Sequence, residues 1–293
     1  LTPISILLVL ISALIHSSWN FFTKKGNWSI EFFFWVFLWG IFLYLPFFYF
    51  YGLFPGLLLQ ATPKLWTLSI ISSLIQTLYL ISLIKAYQMA ELSLVYPISR
   101  SAPLFTQIWA VLLIGEILSM TGVVGIGLVV VGIFIISMSD FRLSSFLHPS
   151  KNVSLQPYFF ALTAAITGSV YSVLDKTCVQ MTHPVFYCWL IDLFMCIEVG
   201  LYSLFQTKNL LLKVWGQWKK EIFLIAILQN ASYLLVLMAM QMSKVSYVVA
   251  FRQAGALLGA VMGVVLLKES QWKARITGAL ILTLGLILIG FAK

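Results

Sequence analysis

The sequence predicts an all-α, polytopic membrane protein of ten transmembrane helices, arranged as two inverted five-helix repeats. Three observations predict it. Hydrophobic residues make up 61% of the 293-residue chain and charged residues only 9%, whereas a soluble globule carries about 25% charge. Apolar runs of the ~20 residues needed to cross a ~30 Å hydrocarbon layer fall at 3–23, 31–52, 65–89, 92–114, 119–138, 157–180, 184–206, 220–242, 244–267 and 272–292. The third observation is an internal offset. A shift of 153 residues lays VLLIGE (111–116) on VVLLKE (264–269), Gly125 on Gly278 and Gly132 on Gly285. A shift of 152 lays Ser17, Trp19 and Lys24 on Ser169, Tyr171 and Lys176. Five is odd, so the second copy must insert with the opposite orientation to the first. The expected units are residues 1–140 and 157–293, connected by 141–156.

The first span has no basic n-region and no small-residue cleavage site, so it is expected to be a retained helix and not a signal peptide. Ser12, His16, Trp19, Asn20 and Thr23 are related by spacings of three and four (12/16, 16/19, 16/20, 19/23, 20/23), a polar stripe on one face. Such a stripe suits an interhelical hydrogen-bond seam or a cavity wall, not lipid. The second span is aromatic nearly all round, with FFFWVF and FFYFYG bracketing Pro46. Lipid contact is expected of it, and no chemistry. The third presents Ser69, Ser72, Gln76 and Tyr79 on one face, with Lys85 near enough to its end to snorkel.

The fourth span carries Ser93, Tyr96, Arg100 and Gln107 on one stripe, with Arg100 set between Pro97 and Pro103. A continuous helix from Leu92 would bury Arg100 about 12 Å down the segment. A guanidinium at the bilayer centre costs about 2.5–3.5 kcal/mol even on the lenient scale, so it must face a partner or a wet cavity. The fifth span, rich in Gly122, Gly125, Gly127 and Gly132, reads as a close-packing face.

In the second half, Arg252 lies eight residues from Lys244, as Arg100 lies eight from Leu92, although the gapless shift pairs Arg252 with Ser99. Two guanidiniums near one centre repel unless a carboxylate or an anion lies between them. Span seven offers Asp192 and Glu198, about 240° apart around the helix, and Asp192 is the expected arginine partner. Span six offers Asp175, and span eight Asn230, Tyr233 and Gln241. Span nine adds Ser246, Gln253 and the GxxxGxxxG run Gly255, Gly259, Gly263, expected to pack inside the bundle. A monomer or a homodimer is compatible with it.

Several function classes are excluded. The longest connection, 139–156, has 18 residues, too few for a folded extramembrane domain. Cys178, Cys188 and Cys196 show no metal or redox spacing and are expected to pack as small hydrophobes. The chain contains no P-loop, HExxH or GxSxG pattern. No catalytic residues, metal or cofactor are therefore expected. The net charge of +9 is read as the excess of basic residues beside spans, with the lipid bilayer and not nucleic acid as partner. Eleven Lys and Arg lie in the odd-numbered loops against four on the other side, which predicts cytoplasmic odd loops and external termini.

The segments LSLVYPISRSAPLFTQIWAVLLIGE (92–116), KVSYVVAFRQAGALLGAVMGVVLLKES (244–270) and HSSWNFFTKKG (16–26) together resemble the drug/metabolite transporter superfamily, EamA type. The resemblance covers essentially the whole chain, with Gly115–Glu116 becoming Lys268–Glu269 in the second copy. It implies a central cavity lined by helices one, three, four, six, eight and nine, and alternating access between the repeats. A secondary transporter is expected, exporting a small polar or amphipathic metabolite across a bacterial inner membrane, with proton coupling or exchange as its driving force. The resemblance also implies cytoplasmic termini, the reverse of the charge count. The alternative class is a non-transport membrane protein, either an intramembrane enzyme or a receptor or assembly subunit.

In such a cavity Arg100 and Arg252 are expected to bind the carboxylate or phosphate of an anionic or zwitterionic substrate, or else to be neutralised internally. Trp19, Tyr79, Tyr96, Tyr171 and Tyr233 offer stacking surface, and His16, Asn20, Gln76, Asn230 and Gln253 offer hydrogen bonds. His16 and Asp175 are the proton-coupling candidates.

Overall fold

The computed structural model describes residues 1–23, 29–51, 54–90, 92–137, 155–206, 210–257 and 272–292; of 19–23, 51, 54, 92–94, 205–206 and 272 only the main chain is described. The described chain is helical. Its helices are α1 (Pro3–Thr23), α2 (Ile30–Tyr51), α3 (Phe54–Gln60), α4 (Pro63–Met89), α5 (Leu92–Ser99), α6 (Ala102–Ile114), α7 (Met120–Ser137), α8 (Gln156–Val179), α9 (Pro184–Gln206), α10 (Leu210–Met242), α11 (Val245–Phe251) and α12 (Trp272–Phe291).

Among the described residues, seven helices are long and apolar enough to cross a membrane: α2, α4, α7, α8, α9, α10 and α12. The first span is represented by the shorter apolar stretch Pro3–Ser18. Two spans depart from expectation, and a third is described only in part. The fourth span is not one helix but two, α5 and α6, broken at Arg100 and Ser101. The eighth begins at Leu210, ten residues early, because Trp218 (φ −126°, ψ 25°) kinks a longer helix and does not end it. The ninth is described only as α11 and a 3₁₀ turn at Arg252–Ala254; its remainder, with Gly259 and Gly263, lies outside the described residues.

The repeat is visible in which helices touch. α7 packs along α12 and α2 along α9; α1 packs on α10 as α4 packs on α8, and α2 on α10 as α9 on α4. Exchanging α1, α2, α4 and α7 for α8, α9, α10 and α12 returns the same set of contacts. Glycines settle the polarity. A Cβ on Gly132 would lie 2.8 Å from the Gly278 carbonyl oxygen, and one on Gly285 would lie 2.6 Å from that of Gly125. Numbers ascending along α7 meet numbers descending along α12, so these counterpart helices are antiparallel. Gly125 is the sequence counterpart of Gly278 and Gly132 of Gly285, so each glycine contact is the repeat image of the other.

This contact leaves no room for a side chain. Gly285→Val is expected to lower stability by roughly 1–3 kcal/mol, the usual cost of overpacking. Gly127→Ala, on the same helix but with nothing within 4 Å of the added Cβ, serves as the control. Thermal unfolding of both purified variants checks the difference, and equal midpoints would refute it.

α2 corrects an expectation. It is not given over to lipid: Phe33 and Phe37 are 2% and 3% exposed, and Trp35 stacks on Trp215 at 4.7 Å. The cause is position, since α2 lies against both α9 and α10. The three cysteines are buried and unbridged. Lys85 Nζ lies 5.3 Å from the ring centre of Phe160. Glu198 accepts hydrogen bonds of 2.6 Å from Ser73 and Thr77, which resolves its role as interhelical packing.

Candidate functional site

Both arginines sit where a helix stops. α5 ends at Ser99 and α6 starts at Ala102, with Pro103 in its first turn, where a missing N–H costs nothing. The Arg100 N–H still reaches Tyr96 O at 3.0 Å, while Ser101 N closes a tighter turn on Ile98 O at 3.1 Å. In the second repeat α11 ends at Phe251 and Arg252 opens the 3₁₀ turn. Each arginine is thus the first residue beyond its half-helix. α5 has 8 residues and α11 has 7, and that one-residue difference is the offset left by the gapless shift.

Between the two guanidiniums lies His16 of α1. Arg252 Nη2 is 3.1 Å from His16 Nδ1, and Arg100 Nη2 is 3.4 Å from His16 Nε2. Arg100 also covers the Tyr96 ring, with Cζ 5.1 Å from its centre. The Nε of Arg252 is buried without an acceptor.

The expectation that Asp192 pairs with an arginine is therefore corrected. Asp192 lies against Gly40 and the Asn230 amide, on the side of α9 that meets α2, where the absent glycine side chain makes room. Its Oδ2 is buried without a hydrogen-bond partner. Asn230 donates to Ala226 O at 2.9 Å and accepts from Tyr44 at 2.9 Å.

Asp175 of α8 is the other centre of the site. Its Oδ1 accepts from Ser72 (2.6 Å), Tyr187 (2.7 Å) and Gln76 (3.3 Å), and its Oδ2 accepts from Tyr233 (2.6 Å). Hydroxyl and amide donors from α4, α9 and α10 thus surround one carboxylate. Asp175 is also within electrostatic range of Arg252.

These groups enclose a cavity of about 160 Å³. His16, Gln76, Tyr79, Arg100 and Tyr171 line it, as do Asp175, Asn230, Tyr233, Arg252 and Gln253. Tyr79 and Tyr171 meet edge to face at 5.5 Å. Tyr96 is not on the wall but beneath Arg100. The side chains of Trp19 and Asn20 lie outside the described residues. The second and seventh spans, α2 and α9, also contribute, through Phe33, Phe37, Ile191, Asp192 and Met195, so the lining is wider than the six helices the resemblance implied. Gln229 adds a buried Oε1 without a donor.

A hydrogen-bonded seal joins the start of α1 to the end of α10 and the start of α11. Glu116 accepts from the backbone N–H groups of Val245 (2.6 Å) and Ser246 (3.3 Å) and from the Ser246 hydroxyl (2.8 Å), capping α11. Lys176 donates to Met240 O and to Ser243 O at the end of α10. Ser5 and Ser243 join at 2.7 Å, and Tyr247 OH accepts from Ser119 N at 3.0 Å. Sequence reasoning missed Glu116 as a cap; a carboxylate preceding a span by more than a hundred residues carries no local signal. It also missed Tyr187, whose position in a mostly apolar helix resembles packing.

Among the described residues, no group of three His, Cys, Asp or Glu could hold a metal ion. The model of the EamA-like transporter family matches residues 3–138 and 155–291. No curated protein matches the sequence. A solved structure described as "Crystal structure of protein" superposes with a TM-score of 0.75 at 17% identity, over 97% of this chain and 95% of the other. At that identity the likeness is one of fold.

Proposed function

The chain belongs to the EamA-like transporter family, and we propose that it is a secondary transporter of a small polar or amphipathic metabolite with an anionic or zwitterionic character. Ten spans in two inverted sets of five would carry it, the units meeting across 141–156. The observation that supports this most is the convergence of Arg100, Arg252 and Asp175, one from each of three separately positioned segments, on an intramembrane cavity. That cavity holds polar atoms with nothing to bond: the donor Arg252 Nε and the acceptors Gln229 Oε1 and Asp192 Oδ2. Burying such groups unpaired costs about 1–3 kcal/mol each, a cost that a polar occupant removes. The volume of about 160 Å³ is below the ~300–1,000 Å³ of most ligand sites, which favours a compact substrate.

The seal built on Glu116 and Lys176 corresponds to one stage of alternating access, closed on the side of the termini. Export across a bacterial inner membrane, driven by exchange or by protons bound at Asp175, completes the reading. Counterflow in proteoliposomes with a panel of small anionic, zwitterionic and neutral metabolites tests it. Accumulation of at least one class against an unlabelled internal pool is expected, and no accumulation of any would overturn it. An imposed pH gradient that leaves the rate unchanged would select exchange over proton coupling. Reporter fusions at Lys151 and the C-terminus decide between the orientations drawn from charge and from family.

A further inference from the structure

We propose that Asp192 is a proton-binding site in the wall of the cavity, a neutral acid in this structure and the group through which a pH gradient acts on transport. This deepens the transport reading and rests on it for the second half; the proton itself rests on how few donors the carboxyl meets.

Two aspartates line the cavity, and their surroundings differ. Asp175 accepts four hydrogen bonds from side chains of α4, α9 and α10. Asp192 is 3% exposed, and its Oδ2 meets no donor. Among the described residues, the Asn230 amide is the one donor beside it, and that amide already gives a hydrogen to Ala226 O at 2.9 Å. An ionised carboxylate presents about four lone-pair sites. A single amide hydrogen leaves most of them bare.

Neighbouring charge does not make up the difference. α9 packs against α2, α4, α8 and α10. From α2, Tyr44 faces Asp192, and Cys188 and Cys196 face it along α9 itself. α10 presents Asn230, and α8 reaches as far as Cys188 through Asp175. α4 turns Ser73 and Thr77 to Glu198, about 240° away around α9. None of these groups carries positive charge. The two arginines of the cavity lie elsewhere, Arg252 against His16 and Arg100 over Tyr96. A buried carboxyl with neither donors nor a counter-charge takes a proton.

The contact with α2 also decides the occupant. A Cβ on Gly40 would overlap Oδ2, so this oxygen is pressed against the α2 backbone, where a proton fits and a substrate does not. The residue nonetheless lines the cavity. A shift of α9 against α2 would bring Oδ2 to cavity water, where the O–H bond breaks, the electron pair stays on Oδ2 and the proton passes to water.

The test is infrared spectroscopy of the purified full chain in lipid nanodiscs through a pH titration, with the proton as the only ligand, followed by transport in proteoliposomes. A protonated-carboxyl band at neutral pH is expected in wild type and in Asp175→Asn, and its loss in Asp192→Asn. Gly40→Ala keeps the acid but forces Oδ2 off α2, so the band is expected to disappear there too. Accumulation driven by an imposed pH gradient, taken relative to counterflow of the same solute, is expected in wild type and lost in Asp192→Asn. Gly40→Ala is read in the same way if Asp192→Asn does not fold. The proposal is overturned by a wild-type spectrum without the band at neutral pH, whatever the variants do. A band unchanged in Asp192→Asn, or gradient-driven accumulation there equal to wild type, overturns it as well. Counterflow that no pH gradient affects would sink the coupling and leave transport standing. A protonated Asp192 without counterflow of any solute would leave the proton site standing and remove the transport reading.

Discussion

Asp175→Ala is expected to abolish counterflow and to lower the stability of the fold by roughly 2–5 kcal/mol. The lower figure comes from four hydrogen bonds at the ~0.6 kcal/mol that polar contacts average inside membrane bundles. The upper one is the cost of breaking a buried charged network by removing one member. Ser72, Gln76, Tyr187 and Tyr233, drawn from three helices, would all lose their common acceptor. Asp175→Asn keeps one oxygen but turns an NH₂ toward hydroxyl donors, so it should fall between wild type and Asp175→Ala. Tyr233→Phe removes only the donor to Oδ2 and should cost about 1 kcal/mol. Thermal unfolding and counterflow on the same preparations check the series. An Asp175→Ala protein with normal exchange and a stability loss below about 1 kcal/mol would show that this network neither holds the helices nor serves transport.

The sequence carried the helices and the repeat because each leaves a local mark. Apolar run length reports a span, and the glycines of α7 and α12 recur at one offset because both sides of a close crossing need the same missing side chain. The resulting antiparallel contact of Gly132 with Gly278 is found in the structure. What occupies the space between the arginines was not legible. The periodicity of α1 placed His16 on a polar face, and the charge of Arg100 and Arg252 called for a partner. Nothing in a one-dimensional pattern says which face of α1 meets which helix break, so an acid on α9 was a natural but mistaken choice. The aromatic α2 failed for a related reason. A helix rich in Phe and Trp looks the same whether lipid or protein covers it, and only its place between α9 and α10 decides.

Glu116→Ala is expected to open the sealed end. The carboxylate binds the first two N–H groups of α11, donors that have no partner within the helix. Hydrogen bonds to a charged group are worth about 1.5–3 kcal/mol each. Allowing for the long 3.3 Å contact to Ser246 N, the loss is roughly 3 kcal/mol, or about a hundredfold in the opening equilibrium. Amide exchange at Val245 and Ser246 should accelerate by that factor, while amides in the α7–α12 contact keep their protection. Glu116→Gln retains an acceptor without the charge and should give an intermediate rate. Because α11 ends at Phe251, one residue before Arg252, freeing its first turn also loosens the segment that aims this guanidinium at His16. The seal and the cavity then share one lever arm of seven residues, and counterflow should change in Glu116→Ala even though Glu116 does not line the cavity. If exchange at Val245 and Ser246 is unchanged, Glu116 is not what keeps this side shut. If amide exchange rises while counterflow stays the same, the seal and the arginine move independently.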